Sequence, residues 1–185
     1  LKKKMSAGQV VVGMTAAELL RPPLVKIYAN AGADFLYIEN EHSLLNPAAY
    51  ADFLLCAHDN GLPVVAKTPY LDRGAIVKLL DAGTSCLQLP MTESPEDVLT
   101  LHNWMKYPPV GERAVCCGYG STGYRPVDLA TFIKEQNEDT MLIAHIETKK
   151  GVDAIDSILG TGVVDLVFIG QDDMSISVGA PGDHH

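Results

Sequence analysis

Residues 141–175 read MLIAHIETKKGVDAIDSILGTGVVDLVFIGQDDMS. Two apolar runs, Met141–Thr148 and Val164–Gln171, flank a glycine-containing segment of helical character, Lys149–Leu159. Val, Ile, Leu and Phe without alternation describe strands buried on both faces, as in a parallel sheet covered by helices. Each run ends in acid, Glu147 in the first and Asp172 and Asp173 in the second. In such α/β folds the ligand site lies at the carboxyl ends of the strands. Two carboxylates delivered there by neighbouring strands point to a hard divalent cation held by oxygen. The same acids would equally cap the helices that follow, and pattern alone does not choose between these readings.

Outward from this stretch the alternation continues. Strand-like runs fall at Gln9–Met14, Phe35–Asn40, Pro63–Pro69, Ser85–Met91 and Arg113–Gly118, giving seven with the two above. Helical patterns fall at Pro23–Ala31, Pro47–Asn60, Arg73–Ala82, Pro95–Met105 and Val127–Glu138. Pro47 and Pro95 stand in first turns behind the capping residues Asn46 and Ser94, and Gly61, Gly83 and Gly160 follow helix ends. Strands recur every ~20–30 residues, the size of a βα unit. The expected fold is therefore α/β, either a (β/α)8 TIM barrel or an open doubly wound sheet. No GxGxxG follows the first run, as an open dinucleotide-binding sheet would want. Polar residues at several strand ends favour the barrel. One domain over residues 1–185 is expected, apparently truncated after the seventh strand, with the natural chain continuing.

Composition narrows the function classes. A hydrophobic fraction of 47% and a charged fraction of 20% describe an ordinary globule. A formal charge of -9 disfavours nucleic acid or an anionic membrane as partner. No apolar run approaches the ~20 residues of a membrane span. The basic start, Leu1-Lys-Lys-Lys, leads into no signal-peptide core, so a cytoplasmic location is expected. Cys56, Cys86, Cys116 and Cys117 lack CxxC spacing and read as reduced thiols.

The strand ends carry Glu39-Asn40-Glu41-His42, Lys67-Thr68, Leu89-Pro90-Met91, His145 with Glu147, and Gly170–Ser175. Gly111–Pro126 is a long Gly- and Tyr-rich loop. A lone histidine is more often structural than catalytic, but one beside a carboxylate at a strand end is as much a site candidate as a structural residue. Lys67 either snorkels to the surface or binds a substrate carboxylate at a barrel mouth. His58 and His102 lie on helices and read as solvated. His184 and His185 read as a native loop or a tag remnant.

Glu41-His42, the VVAKTPY segment, Leu80-Asp81-Ala82-Gly83, Tyr107-Pro108-Pro109 with Gly111 and Arg113, His145-Ile146-Glu147-Thr148, and Phe168-Ile169-Gly170 with Asp173-Met174-Ser175 together resemble the HpcH/HpaI aldolases. These are metal-dependent class II pyruvate aldolases related to citrate lyase β-type proteins. The resemblance runs in order over nearly the whole chain. It implies a (β/α)8 barrel and a homo-oligomer, a hexamer built from dimers that exchange their last helix. It also implies Mg²⁺, Mn²⁺ or Co²⁺, and reversible cleavage of a 4-hydroxy-2-oxo acid to pyruvate and an aldehyde through a metal-stabilised enolate.

Position by position, the resemblance implies Glu147 and Asp173 as metal ligands. It implies His42 and Asp81 as a pair orienting a proton-transferring water, and the amides around Asp172 and Asp173 as the seat of the pyruvate carboxylate. Lys67 stands where the family has arginine, His145 where it has glutamine, and Gln171-Asp172 where it has Pro-Ala. Glu39 replaces the family aspartate. Catalytic roles are therefore expected for His42, Lys67 and Asp81, and substrate contacts for His145, Asp172 and Asp173. Two other readings stay open: a Schiff-base lyase using Lys67, and a non-catalytic relative that binds a small oxo acid, favoured by the extra charge of Asp172.

Overall fold

The computed structural model describes residues 1–184, so the reading of His185 lies outside the described residues. Strands β1 (Gly13–Ala16), β2 (Phe35–Ile38), β3 (Val64–Lys67), β4 (Cys86–Leu89), β5 (Met141–Ile146) and β6 (Leu166–Ile169) form one sheet. They lie in chain order and every pairing is parallel. Helices α1 (Lys2–Ser6), α2 (Pro22–Asn30), α3 (Pro47–Asp59), α4 (Arg73–Asp81), α5 (Pro95–Met105), α6 (Leu129–Asp139), α7 (Lys149–Asp153), α8 (Ile155–Gly160) and α9 (Gln171–Ser177) join or flank the strands, with a 3-10 turn at Gly120–Thr122. Their starts obey local chemistry. The Asn46 side chain accepts from the amides of Ala48 and Ala49, and Ser94 with Asp97 closes a capping box at α5.

The register sorts each strand into two faces, because successive side chains alternate. Leu36, Ile38, Val64, Ala66, Leu87, Leu89, Leu142, Ala144 and Ile146 face the helices. There they pack on Val25, Phe53 and Leu54 at one end and on Ile76, Leu80, Val98, Leu101 and Ile158 at the other. Each fully buried Val, Leu, Ile or Phe there contributes roughly 1.5–3 kcal/mol. Val65, Cys86, Met141 and Ile143 face the opposite way and meet Tyr37, Leu166, Met5 of α1 and Leu1 just before it.

The sheet is curled into a half-barrel. Tyr37 of β2 and Phe168 of β6 stack with ring centroids 6.5 Å apart. Four strand spacings in a flat sheet would separate them by about 19 Å. Their approach closes the concave face, and the inward residues share one interior.

Two expectations are corrected. The run Arg113–Gly118 is not a strand, so the sheet has six strands rather than seven; β4 pairs directly with β5, Cys86 against Met141, and leaves no place between them. Ala114–Gly118 is exposed, while Arg113 is buried as a cation. The segment Lys149–Leu159 is two short helices that meet at Ala154, whose ψ of 0° breaks the helical path. Beyond β6 the chain turns at once into α9, and Val167, Phe168 and Ile169 of the edge strand are exposed.

Candidate active site at the carboxyl ends of the strands

Glu39 follows β2 and shapes its own loop, Oε1 accepting from the amides of Glu41 (2.7 Å) and His42 (3.2 Å). That loop carries the Glu41 carboxylate to Lys67, the last residue of β3. Lys67 is only 4% exposed and pairs with Glu41, with Glu39 Oε2 at 3.6 Å. Burial alone would lower the lysine pKa; Glu41, Glu39 and Glu147 outweigh it, so the ammonium is held above its ordinary range. Gln88 of β4 lies in register with Lys67 and is buried.

Glu147 leaves the end of β5 and is 2% exposed. Its Oε1 accepts from the amide of Met91 at 2.6 Å. Met91 has a φ of 49°, a left-handed conformation that costs a side-chain-bearing residue energy and aims that amide. Burial raises the Glu147 pKa, opposed by the Met91 amide and Lys67 and reinforced by Glu41 and Asp173. His145 Nε2 lies 3.1 Å from Glu147 Oε2, yet neither ring nitrogen has an aligned hydrogen bond. Burial, with Lys67, pushes His145 down to about 4, so the ring is neutral at physiological pH. Phe168 meets it edge-on at 4.8 Å. Gly170 follows β6 and closes over the pair: a Cβ there would sit 2.5 Å from His145 Nε2 and 2.7 Å from Glu147 Oε2. Asp172 and Asp173 stand in the first turn of α9.

The structure thus gathers Lys67, His145 and Glu147, with Asp173 near enough to act on the charge of both His145 and Glu147. It brings His42 to the Glu41 carboxylate that Lys67 pairs with, but it does not bring Asp81 there. His42 is exposed and leans on Glu41, Nε2 to Oε2 3.4 Å. Asp81 is the last residue of α4, a helix of nine residues that runs back about 13 Å from the strand ends. There it is held by Arg113, and among the described residues no hydrogen bond joins it to His42. Asp172 points outward, its Oδ1 3.2 Å from His184 Nε2. Sequence reasoning missed the Met91 amide, Gln88 and the two glutamates that hold Lys67. A two-residue stagger along β2, β3, β4 and β5 would have flagged Gln88; Glu39, Glu41 and Met91 were marked only by their place at strand ends, which assigns them no partner.

Glu39, Glu41, Glu147 and Asp173 set four carboxylates against the single ammonium of Lys67 and a neutral imidazole. Such an excess of anionic oxygen, buried at Glu147, half-buried at Glu39 and Glu41 and exposed at Asp173, suits a hard dication. Glu39, Glu41 and His42 also bring ligand atoms within 4.8 Å of one another, but Lys67 already pairs with both glutamates.

A parallel half-barrel whose strand ends converge acids, a lysine and a histidine matches a family known by its sequence model. The HpcH/HpaI aldolase/citrate lyase model matches residues 17–185, and the chain belongs to that family of carbon–carbon lyases. A hydroxypyruvate/pyruvate aldolase of Roseovarius nubinhibens is 33% identical over 185 residues, covering 98% of this chain and 70% of the relative. A 5-keto-4-deoxy-D-glucarate aldolase of Escherichia coli (strain K12 / DH10B) is 27% identical over 182 residues, with the same coverage of 98% and 70%. The crystal structure of an HpcH/HpaI aldolase from Desulfitobacterium hafniense superposes with a TM-score of 0.94 at 35% identity, covering all of this chain and 71% of that one.

Proposed function

We propose that this protein is a metal-dependent pyruvate aldolase that cleaves a 4-hydroxy-2-oxo acid to pyruvate and an aldehyde. The observation that carries the reading is the buried Glu147 carboxylate, pinned by the Met91 amide and left in an excess of negative charge that one lysine does not balance. Glu147, just past β5, and Asp173, in the helix that follows the neighbouring β6, would hold Mg²⁺, Mn²⁺ or Co²⁺. Bound there, the ion supplies Lewis-acid stabilisation of the 2-oxo group.

On cleavage the C3–C4 bond breaks, the 4-hydroxyl gives up its proton to become the aldehyde, and the bonding pair passes to C3. Protonation at C3 then yields pyruvate. Lys67 offsets the negative charge that develops. His145 presents neutral ring nitrogens, buried and unpartnered, to substrate oxygens; the amides that open α9 at Asp172 and Asp173 receive the carboxylate. His42 orients the proton-transferring water. Because Asp81 lies at the far end of α4, a His42–Asp81 pair would take its aspartate from a second copy, in keeping with a homo-oligomer. Mixing inactive His42→Ala and Asp81→Ala proteins would then restore part of the activity, and no recovery would remove the pair. Two further strands would close the six into a single eight-stranded barrel domain, acting in the reducing cytoplasm.

The alternatives lose their supports. A Schiff base needs a lysine of depressed pKa, and Lys67 is raised. The non-catalytic reading leaned on Asp172, whose carboxylate turns to His184 instead. The test is pyruvate release from 4-hydroxy-2-oxo acids, abolished by EDTA and restored by Mn²⁺. EDTA-insensitive turnover with borohydride trapping at Lys67 would replace the metal mechanism, and binding without turnover would leave a non-catalytic relative.

A further inference from the structure

The charge distribution at the strand ends bears on which aldehyde the site admits. Lys67 is the residue positioned to meet an anionic group, and its ammonium is already taken by Glu41 and Glu39. The next lysines along the rim are committed too, Lys149 to Asp153 and Lys150 to Glu93. Against them stand Glu39, Glu41, Glu147 and Asp173, an excess of three negative charges over Lys67. A dication would reduce that excess to one, and bound pyruvate would return it to two. The negative field reaches below the mouth: Tyr37, on the inner face of β2, has its hydroxyl pushed up by burial and by Glu39, Glu41 and Glu147.

We propose that the Lys67–Glu41–Glu39 cluster makes this site selective for aldehydes without charge, so that its substrates are monocarboxylic 4-hydroxy-2-oxo acids. The inference rests on the aldolase reading above. An arginine in place of Lys67 could grip a distal carboxylate through two parallel donors. A lysine already bound by two carboxylates offers no such grip, and an entering carboxylate meets like charge, which costs binding and slows encounter. The relative named for 5-keto-4-deoxy-D-glucarate, a dicarboxylate, would differ from this chain on that point.

The test uses the metal-loaded protein in the synthetic direction, with pyruvate and two aldehydes of equal carbon count, butyraldehyde and succinic semialdehyde. The expected kcat/KM favours butyraldehyde by about tenfold or more at low ionic strength. The ratio should shrink as salt rises from about 0.02 to 0.5 M, because screening relieves repulsion and leaves steric fit untouched. Glu41→Gln, which frees Lys67 from its nearest carboxylate and leaves Glu39 facing it, should narrow the ratio severalfold in protein that circular dichroism shows to be folded. Equal or faster use of succinic semialdehyde overturns the proposal. So does a preference that neither salt nor Glu41→Gln moves, since that preference would be steric. Turnover of neither aldehyde overturns the aldolase reading itself, and the selectivity falls with it.

Discussion

Arg113 Nη2 donates to Asp81 Oδ1 at 2.6 Å, with the guanidinium side chain wholly buried and lying 4.5 Å over the ring of Tyr107. Among the described residues Nε and Nη1 have no hydrogen-bond partner, and Asp81 is the carboxylate paired with this cation. The pair ties the chain after α5 back to the end of α4. Asp81→Asn would leave a buried charge uncompensated and lower stability by about 2–4 kcal/mol, the lower part of the range because Asp81 keeps some solvent. In urea unfolding, Asp81→Leu combined with Arg113→Met should cost less than the sum of the single changes. Additive losses would mean that the two side chains are not coupled.

Gly170 is required for space rather than for backbone freedom. A methyl group there would press on His145 Nε2, Glu147 Cβ and Glu147 Oε2, all within 2.7 Å. Gly170→Ala should therefore displace the Glu147 carboxylate and weaken Mn²⁺ binding about tenfold or more, as disturbance around a metal ligand does. Calorimetric titration of Mn²⁺ reads this directly, with Glu147→Gln as the variant that loses binding outright. Unchanged affinity in both variants would place the ion elsewhere.

Lys67→Ala removes the ammonium that faces Glu39, Glu41 and Glu147. The expected loss in kcat/KM for cleavage is about 10²–10³-fold, the scale for deleting one donor to a developing oxyanion. Glu41 and Glu39 would also lose their counter-ion, so the pH profile should change along with the rate. Borohydride with pyruvate should leave Lys67 unmodified in the wild-type protein. A covalent adduct there, or unchanged activity in Lys67→Ala, would each remove the assigned role.

Lys106 supplies a test by pH away from the site. Its Nζ donates to the carbonyls of Asn137 (2.8 Å) and Thr140 (2.6 Å) and to Thr140 Oγ1 (2.8 Å), yet burial, with Lys2, lowers its pKa to about 8. An unfolded lysine stays protonated to about 10.5, so between these values the unfolded chain holds the extra proton. Stability must rise with pH across that window, and the penalty for charging the buried amine is complete below its lower edge. Relative to Lys106→Met, the wild type should gain about 1–3 kcal/mol between pH 8 and 10.5. A pH-independent difference in unfolding free energy would refute it.

Much of the architecture followed from short-range pattern. Apolar runs without alternation marked strands covered on both sides, and Asn46-Pro47 and Ser94-Pro95 marked two helix starts to the residue. The same logic put Glu147 and Asp173 after two strands that do lie side by side. These features depend on residues within a few positions of one another, which is the reach of capping and periodicity. Other features depended on partners brought from afar. Arg113–Gly118 is apolar enough for a strand, but β4 and β5 pair without it, and Arg113 is drawn instead to Asp81, 32 residues earlier. Lys67 reads as a free cation until β2 and β3 align and Glu41 closes on it. Met91 reads as a loop residue until its amide meets Glu147, 56 positions on. Strand ends and their acids were thus written in the sequence, whereas the charge state of the site came from sheet register and curl, which join residues no local pattern connects.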